Sequence, residues 1–429
     1  VERLCAVLWT SAQEVKATSP AAITRINTNE PEHELHKAHP HTHHRQTMPP
    51  RTAFPFSALP IPRSIIRTPR ATALFFPSPR RPSSSSSSTT TAPPAYMEPR
   101  PSSSVILVSA TNEVLLLHRV HTSTSFASAH VFPGGNLDAR HDGDVPAAGS
   151  PARHADGEAY RRAAVRETFE ETGILLAKGP GGALLDLSLE ERDVARRRVH
   201  AGEVGFGEWL AQVGGVADTD GLIPFTRWLT PATVPKRFTT QMYLYLLPIA
   251  RTGIPSSLLI PTPDGGVEHT AALFAAPQTF LAQAAAGAIT LFPPQVYLLT
   301  LLARFFAGAG DASLEEAPLH YTAQRRRLRA FLRAVPTAET DRGRQHATAH
   351  IPWADKLISP HTLFIRESDK RIVLGLDKAG PELKGQARGG DWENVALVRF
   401  TKAGPSEVEI RRREDVLEEE RRFKAGSKL

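Results

Sequence analysis

The sequence predicts an α/β fold, and three observations lead there. Short, β-rich apolar runs at residues 105–108 and 114–119 precede a charged helical pattern over Glu158–Thr172. A further strand pattern at 240–247 precedes an amphipathic helical pattern at 295–306, so strands and helices alternate along the chain. A glycine pair, Gly134-Gly135, closes an extended segment ahead of the long helix, as a backbone meant to approach a ligand closely requires.

Residues 1–96 precede this pattern and differ from it in texture. The first hundred residues hold 15 of the 36 prolines, and their 12 Lys and Arg against 6 Glu supply most of the net charge of +7. A histidine patch (His33, His36, His39, His41, His43, His44) and a serine/threonine run at 83–91 complete a composition that buries too little apolar surface to offset its ordering entropy. Residues 1–96 therefore read as a disordered low-complexity tail. Residues 49–96 contain arginines but no Asp or Glu, the texture of an organelle transit peptide. The start at Val1, with Met97 just ahead of the first strand, equally fits a gene-model artefact.

The elements follow in order from Ser104. Residues 105–108 and 114–119 form a hairpin around the turn signal Thr111-Asn112-Glu113. Residues 126–132 extend to Pro133-Gly134-Gly135, and 140–156, polar and without periodicity, read as a loop. The long helix carries Val165 and Phe169 at i, i+4 and stops at Gly173. After the 240–247 strand and the helix entered through Pro293-Pro294, a basic helix at 323–334 and strands at 362–365, 371–376 and 395–400 read as a small β-rich appendage. The expected domains are 97–310 and 311–429.

Composition excludes several classes. The basic charge belongs to the tail, so no nucleic-acid-binding surface is expected. The single cysteine, Cys5, excludes disulfides and thiolate metal sites elsewhere. The most apolar stretch, 289–308, is broken by Pro293, Pro294 and Arg304, so no membrane span is expected.

The chemistry concentrates on the long helix. Glu167, Glu170 and Glu171 share one helix face within a turn, where like charges repel and call for a cation. Oxygen donors without Cys or His favour Mg²⁺ or Mn²⁺. A solvated acidic face would show the same run. Here Tyr160, Ala163 and Ala164 share that face, and small residues leave room for a metal and phosphates.

These residues resemble the signature of the Nudix hydrolases. Glu158, seven residues, then Arg166-Glu167-Thr168-Phe169-Glu170-Glu171-Thr172-Gly173-Ile174 match its second part, with Thr168 in an apolar slot. Gly135 matches the signature glycine but lies 23 residues before Glu158, where the family spacing is 6, so about 17 residues are inserted. An interruption at this place is similar to that of the peroxisomal coenzyme A diphosphatase branch. Ala129-His130-Val131-Phe132-Pro133-Gly134-Gly135, Arg227-Trp228-Leu229-Thr230-Pro231, Pro235-Lys236-Arg237-Phe238 and Leu291-Phe292-Pro293-Pro294-Gln295-Val296-Tyr297 also look like that branch. Upstream, Leu115, Leu116 and Arg119 fit the bacterial-type coenzyme A pattern, whereas Leu117, Val120, Thr124 and Ser128 depart from it.

The resemblance implies an α/β/α sandwich with a mixed sheet, and a hydrolase of diphosphate bonds using Mg²⁺ or Mn²⁺ on Glu167, Glu170 and Glu171. It implies coenzyme A or acyl-coenzyme A as substrate. Arg166 would orient the carboxylates through an ion pair with Glu158. Gly134, Gly135, Arg119, Lys236 and Arg237 would bind substrate, the cations meeting its 3′-phosphate. Glu268 is a candidate downstream base or metal ligand. A hydrolase of NADH or ADP-ribose and a non-catalytic Nudix-fold binding module are the alternatives. The final Ser427-Lys428-Leu429 is the tripeptide read by the peroxisomal import receptor, so the peroxisome is the expected location, or the mitochondrion if the tail acts as a transit peptide.

Overall fold

Unbroken apolar runs in the first strands demand burial on both faces of a sheet. The computed structural model describes residues 97–119, 128–249, 260–262, 269–308, 310, 313, 315–402 and 404–427. The expected N-terminal tail, Glu268, and Lys428 and Leu429 of the terminal tripeptide lie outside the described residues.

Among the described residues the first elements are β1 (Arg100–Val108), β2 (Val114–Arg119), β3 (His130–Val131), β4 (Gly134–Asn136), α1 (Ala139–Asp142) and α2 (Glu158–Thr172). It continues through β5 (Ala177–Lys178), α3 (Leu189–His200), α4 (Phe206–Gln212), β6 (Val216–Ala217), β7 (Ile223–Leu229) and β8 (Phe238–Leu246). Then come β9 (His269–Ala275), α5 (Pro277–Ala285), α6 (Pro293–Ala303), α7 (Ala317–Arg333), α8 (Asp341–Gln345) and β10 (Leu357–Ile358). The last elements are β11 (His361–Ile365), β12 (Ile372–Leu376), β13 (Asp391–Thr401), β14 (Gly404–Arg412) and α9 (Arg413–Gly426).

The main sheet runs β10-β7-β8-β1-β2-β3, with β4 also on β1 and β9 also on β2. It is mixed: β1 pairs in parallel with β8 from Arg100↔Phe238 to Val108↔Leu246, whereas β7 meets β8 antiparallel. Side chains alternate across it. Val105, Leu107, Leu115, Leu117, Tyr243 and Tyr245 face Tyr160, Val165 and Phe169 of α2. Ile106, Val108, Val114, Leu116 and Leu244 face Phe280 of α5 and Tyr297, Leu298 and Leu301 of α6. Each such buried side chain contributes roughly 1.5–3 kcal/mol, so the α/β/α layering follows from the two-sided strands.

The long helix has the expected bounds, and Gly173, at φ +72°, ends it by donating to the Phe169 carbonyl at 2.8 Å. Two expectations are corrected. Residues 140–156 are not a featureless loop: they include the end of α1 and a 3₁₀ turn over Pro151–His154. In the stretch 126–132, only His130–Val131 is a strand among the described residues.

The described residues beyond 310 pack against the main sheet. Leu357 and Ile358 of β10 pair with Arg227 and Trp228, giving the main sheet its edge. Strands β11–β14 form a second sheet, and Val408 and Ile410 of β14 join the core around α6, as do Leu328, Trp353 and Leu376. The Tyr297 hydroxyl donates to Asp391 at 2.8 Å across this junction. Hydrophobic packing runs through the expected boundary at 310. No helix among the described residues is long and apolar enough to cross a membrane.

Candidate active site

The site forms where the glycine loop meets α2. Gly134 sits at φ +154°, and a Cβ there would overlap the Ser103 carbonyl and Ser104; a Cβ on Gly135 would overlap the Glu167 carboxylate. The loop thus lies directly on the helix, and the Gly134 amide donates to Glu171 Oε2 at 2.7 Å. The glycine pair is required by this approach rather than by turn formation alone.

Arg166 organises the acidic face. Its Nη1 donates to Glu167 Oε1 at 2.8 Å and to Glu170 Oε1 at 3.0 Å. Its Nε and Nη2 donate to the two oxygens of Asp142 at 3.0 and 2.9 Å, and Nη2 also reaches the Asn136 carbonyl at 2.9 Å. Burial away from water pushes the Glu167 carboxyl up to about 7; Arg166 pulls it down and Glu170 pushes it further up. His200 Nδ1 lies 3.4 Å from Glu170 Oε2.

The helix end is held by two arginines that sequence reasoning missed. Arg196 donates through Nε and Nη2 to the Glu170 carbonyl at 3.1 and 2.9 Å, and Arg192 donates to the Gly173 carbonyl at 2.9 Å. Cations there satisfy carbonyls left open at a helix C-terminus and oppose its partial negative charge.

A cavity of about 620 Å³ opens beside this cluster, lined by Gly134, Gly135, Arg166, Glu167, Arg119 and Lys236. Ser102, Ser103, Arg100, Thr230 and Thr240 add polar groups. Trp228, Phe238, Met242, Phe292, Leu298, Pro360 and Leu374 supply an apolar part. All four sequence stretches singled out above contribute lining residues.

Two site expectations are corrected. Glu158 does not pair with Arg166: it lies on the surface and bonds Arg162 Nε at 2.9 Å, one turn along the helix, while Asp142 takes the arginine. Arg237 does not line the cavity. Its side chain is fully buried, donating to the carbonyls of Thr230 and Met97 and pairing with Glu382. Asp142 falls in the stretch that the sequence predicts as loop, although it stands seven residues after Gly135, close to the spacing of 6 from the signature glycine to its glutamate.

Among the described residues, no three His, Cys, Asp or Glu side chains are gathered as a ready metal site. The donors still suit a hard divalent cation in kind. They are carboxylate oxygens, and Glu170, set beside Glu167 on Arg166 Nη1, adds to the upward push that burial gives the Glu167 carboxyl, a pairing of like charges that a cation would relieve.

A family model described as NUDIX domain matches residues 98–246. The chain is 32% identical to a Caenorhabditis elegans protein provisionally named nudix hydrolase 7, over 48% of this chain and 61% of that one. It is 30% identical to the acyl-coenzyme A diphosphatase NUDT19 of Gallus gallus, over 45% of this chain and 61% of that one. The chain thus spans about three fifths of the length of these curated relatives. Among solved structures, a NUDIX hydrolase from Alicyclobacillus acidocaldarius aligns over 49% of this chain and 93% of that one, at 23% identity and a TM-score of 0.38.

Proposed function

We propose that the chain, whose residues 98–246 match the family model described as NUDIX domain, is a metal-dependent diphosphatase of coenzyme A or acyl-coenzyme A. Its products are adenosine 3′,5′-bisphosphate and (acyl)phosphopantetheine. The observation that carries the reading is the joint lining of one cavity by Glu167, Arg166, the glycine pair and two further cations, Arg119 and Lys236. The name of the Gallus gallus relative supports the choice of substrate, as does a cavity with both a cationic and an apolar part.

Cleaving a diphosphate requires holding its negative charge and presenting a water in line with the leaving phosphate. Lys236 and Arg119 bind the phosphates. Arg166 Nη1 holds Glu167 and Glu170 together, and the Gly134 amide holds Glu171 against the glycine loop. Mg²⁺ or Mn²⁺, held by Glu167, Glu170 and Glu171, would supply further charge neutralisation. The apolar side of the cavity, around Trp228, Met242 and Leu298, receives uncharged parts of the substrate and keeps water away from them.

The test is a panel of nucleoside diphosphate compounds assayed with Mg²⁺ or Mn²⁺, with products identified by mass. The highest kcat/KM is expected for coenzyme A or an acyl derivative. A higher value for NADH or ADP-ribose refutes the substrate while leaving a diphosphatase. Location is proposed from the terminal tripeptide. An N-terminal fluorescent fusion should collect in peroxisomes, and deleting Ser427 to Leu429 should release it; uniform cytosolic signal before deletion refutes this.

A further inference from the structure

We infer that Asp142, carried by the segment inserted between Gly135 and Glu158, is the residue that positions Arg166 for the reaction. This rests on the hydrolase reading above. It gives the insertion a definite contribution to the site, a buried carboxylate placed opposite the catalytic face of α2.

A guanidinium offers five N–H donors in a rigid plane. In Arg166 all five are used: one from Nε and one from Nη2 go to Asp142, one from Nη2 to Asn136, and two from Nη1 to Glu167 and Glu170. The two-point contact with Asp142 fixes one edge of the plane. Because the plane is rigid, fixing that edge sets where Nη1 lies, and hence which oxygen each glutamate turns toward it. Asp142 also places a negative charge beyond the far edge of Arg166, so the guanidinium charge is not spent on Glu167 and Glu170 alone.

Asp142 is itself well held. Its side chain is wholly buried, its Oδ2 accepts from the Asp138 amide at 2.8 Å, and Asp138 caps α1. The far end of the insertion is tied through Asp156, which accepts from the Tyr243 hydroxyl at 2.5 Å and from Arg161 at 2.6 Å. Glu158, in the position that the signature designates when counted back from Arg166, points to solvent with 56% of its side chain exposed and bonds Arg162. The buried carboxylate that holds Arg166 thus comes from the segment ahead of the helix and not from the helix itself.

The test uses the full chain with Asp142→Asn, Asp142→Glu and Glu158→Gln. Each is assayed for kcat and KM on the best substrate of the panel and for the ¹⁵N–¹H signal of Arg166 Nε, with melting temperature as the control for folding. Asp142→Asn should lower kcat about 10–100-fold at nearly unchanged KM, the range typical of residues that orient charged ligands from behind. It should also move the Arg166 Nε signal. Asp142→Glu, keeping the charge, should recover part of both. Glu158→Gln should change neither. The inference fails if Glu158→Gln costs as much as Asp142→Asn, if Asp142→Asn keeps the wild-type kcat, or if the Arg166 signal is the same in all variants. If Asp142→Asn does not fold, Asp142→Glu and Glu158→Gln decide between the two carboxylates. If the wild type cleaves nothing on the panel, the hydrolase reading fails, and the Arg166 signal alone then decides whether Asp142 holds the arginine.

Discussion

Replacing Arg237 with methionine should destabilise the protein rather than retune its substrate choice. The arginine side chain has no exposure, donates to the carbonyls of Thr230 and Met97, and pairs with Glu382 from the last third of the chain. Methionine fills much of the volume but leaves the Glu382 carboxylate without its partner. Removing one member of a buried pair costs about 3–5 kcal/mol, chiefly through the stranded charge. Glu382 keeps 19% of its side-chain exposure and can turn partly toward water, which places the expectation at the low end, about 3 kcal/mol. At about 2–4 °C per kcal/mol for larger domains, melting should fall by about 6 °C or somewhat more. Thermal and urea unfolding of Arg237→Met, Glu382→Gln and the double variant measure this, and the double-variant cycle should show coupling of about 1 kcal/mol or more. The reasoning is refuted if Arg237→Met melts like the wild type and instead loses discrimination between coenzyme A and dephospho-coenzyme A.

Glu170→Gln and Glu171→Gln should each lower turnover by about 100-fold or more, because charge is lost with little change of shape; near-normal activity with added Mg²⁺ would remove both from the site. Gly135→Ala should lower kcat because its Cβ displaces the Glu167 carboxylate, whereas Gly157→Ala, with nothing within 4 Å of an added Cβ, should not; equal effects in a steady-state assay would contradict the close approach. Lys236→Ala should narrow the preference for coenzyme A over dephospho-coenzyme A, and an unchanged ratio of kcat/KM values would show that Lys236 does not meet the 3′-phosphate.

Much of the site was legible because its signals are local. Gly173 ends the helix, Val165 and Phe169 bury its inner side, and the glutamate spacing gathers charge on one face, all within a few turns. The glycine pair could be read for the same reason, since close approach leaves its mark on the residue itself. Asp142 carries one faint mark, its distance from Gly135, because an acidic residue in a polar stretch gives no other sign of a partner 24 positions away. Lys236 and Arg237 show a further limit. They are adjacent and alike in charge, yet Lys236 lines the cavity while Arg237 is buried toward Glu382. Composition cannot separate neighbours whose directions are set by the packing around them. The shared core of the C-terminal third was hidden for a related reason: Leu328, Trp353 and Leu376 join the core around α6 from positions far along the chain.

The cavity wall has an evolutionary consequence. Pro360 and Leu374 come from a stretch more than 180 residues beyond the carboxylate helix, yet they line the same cavity as Glu167. Selection on the shape of the cavity can therefore act on one part of the gene while the carboxylate-bearing helix, written elsewhere, stays constant. Variation at 360 or 374 enlarges or narrows the space without altering a charge on α2. Related chains with the same glutamate pattern but different residues here need not accept the same molecules, and agreement across α2 alone is poor evidence of shared specificity.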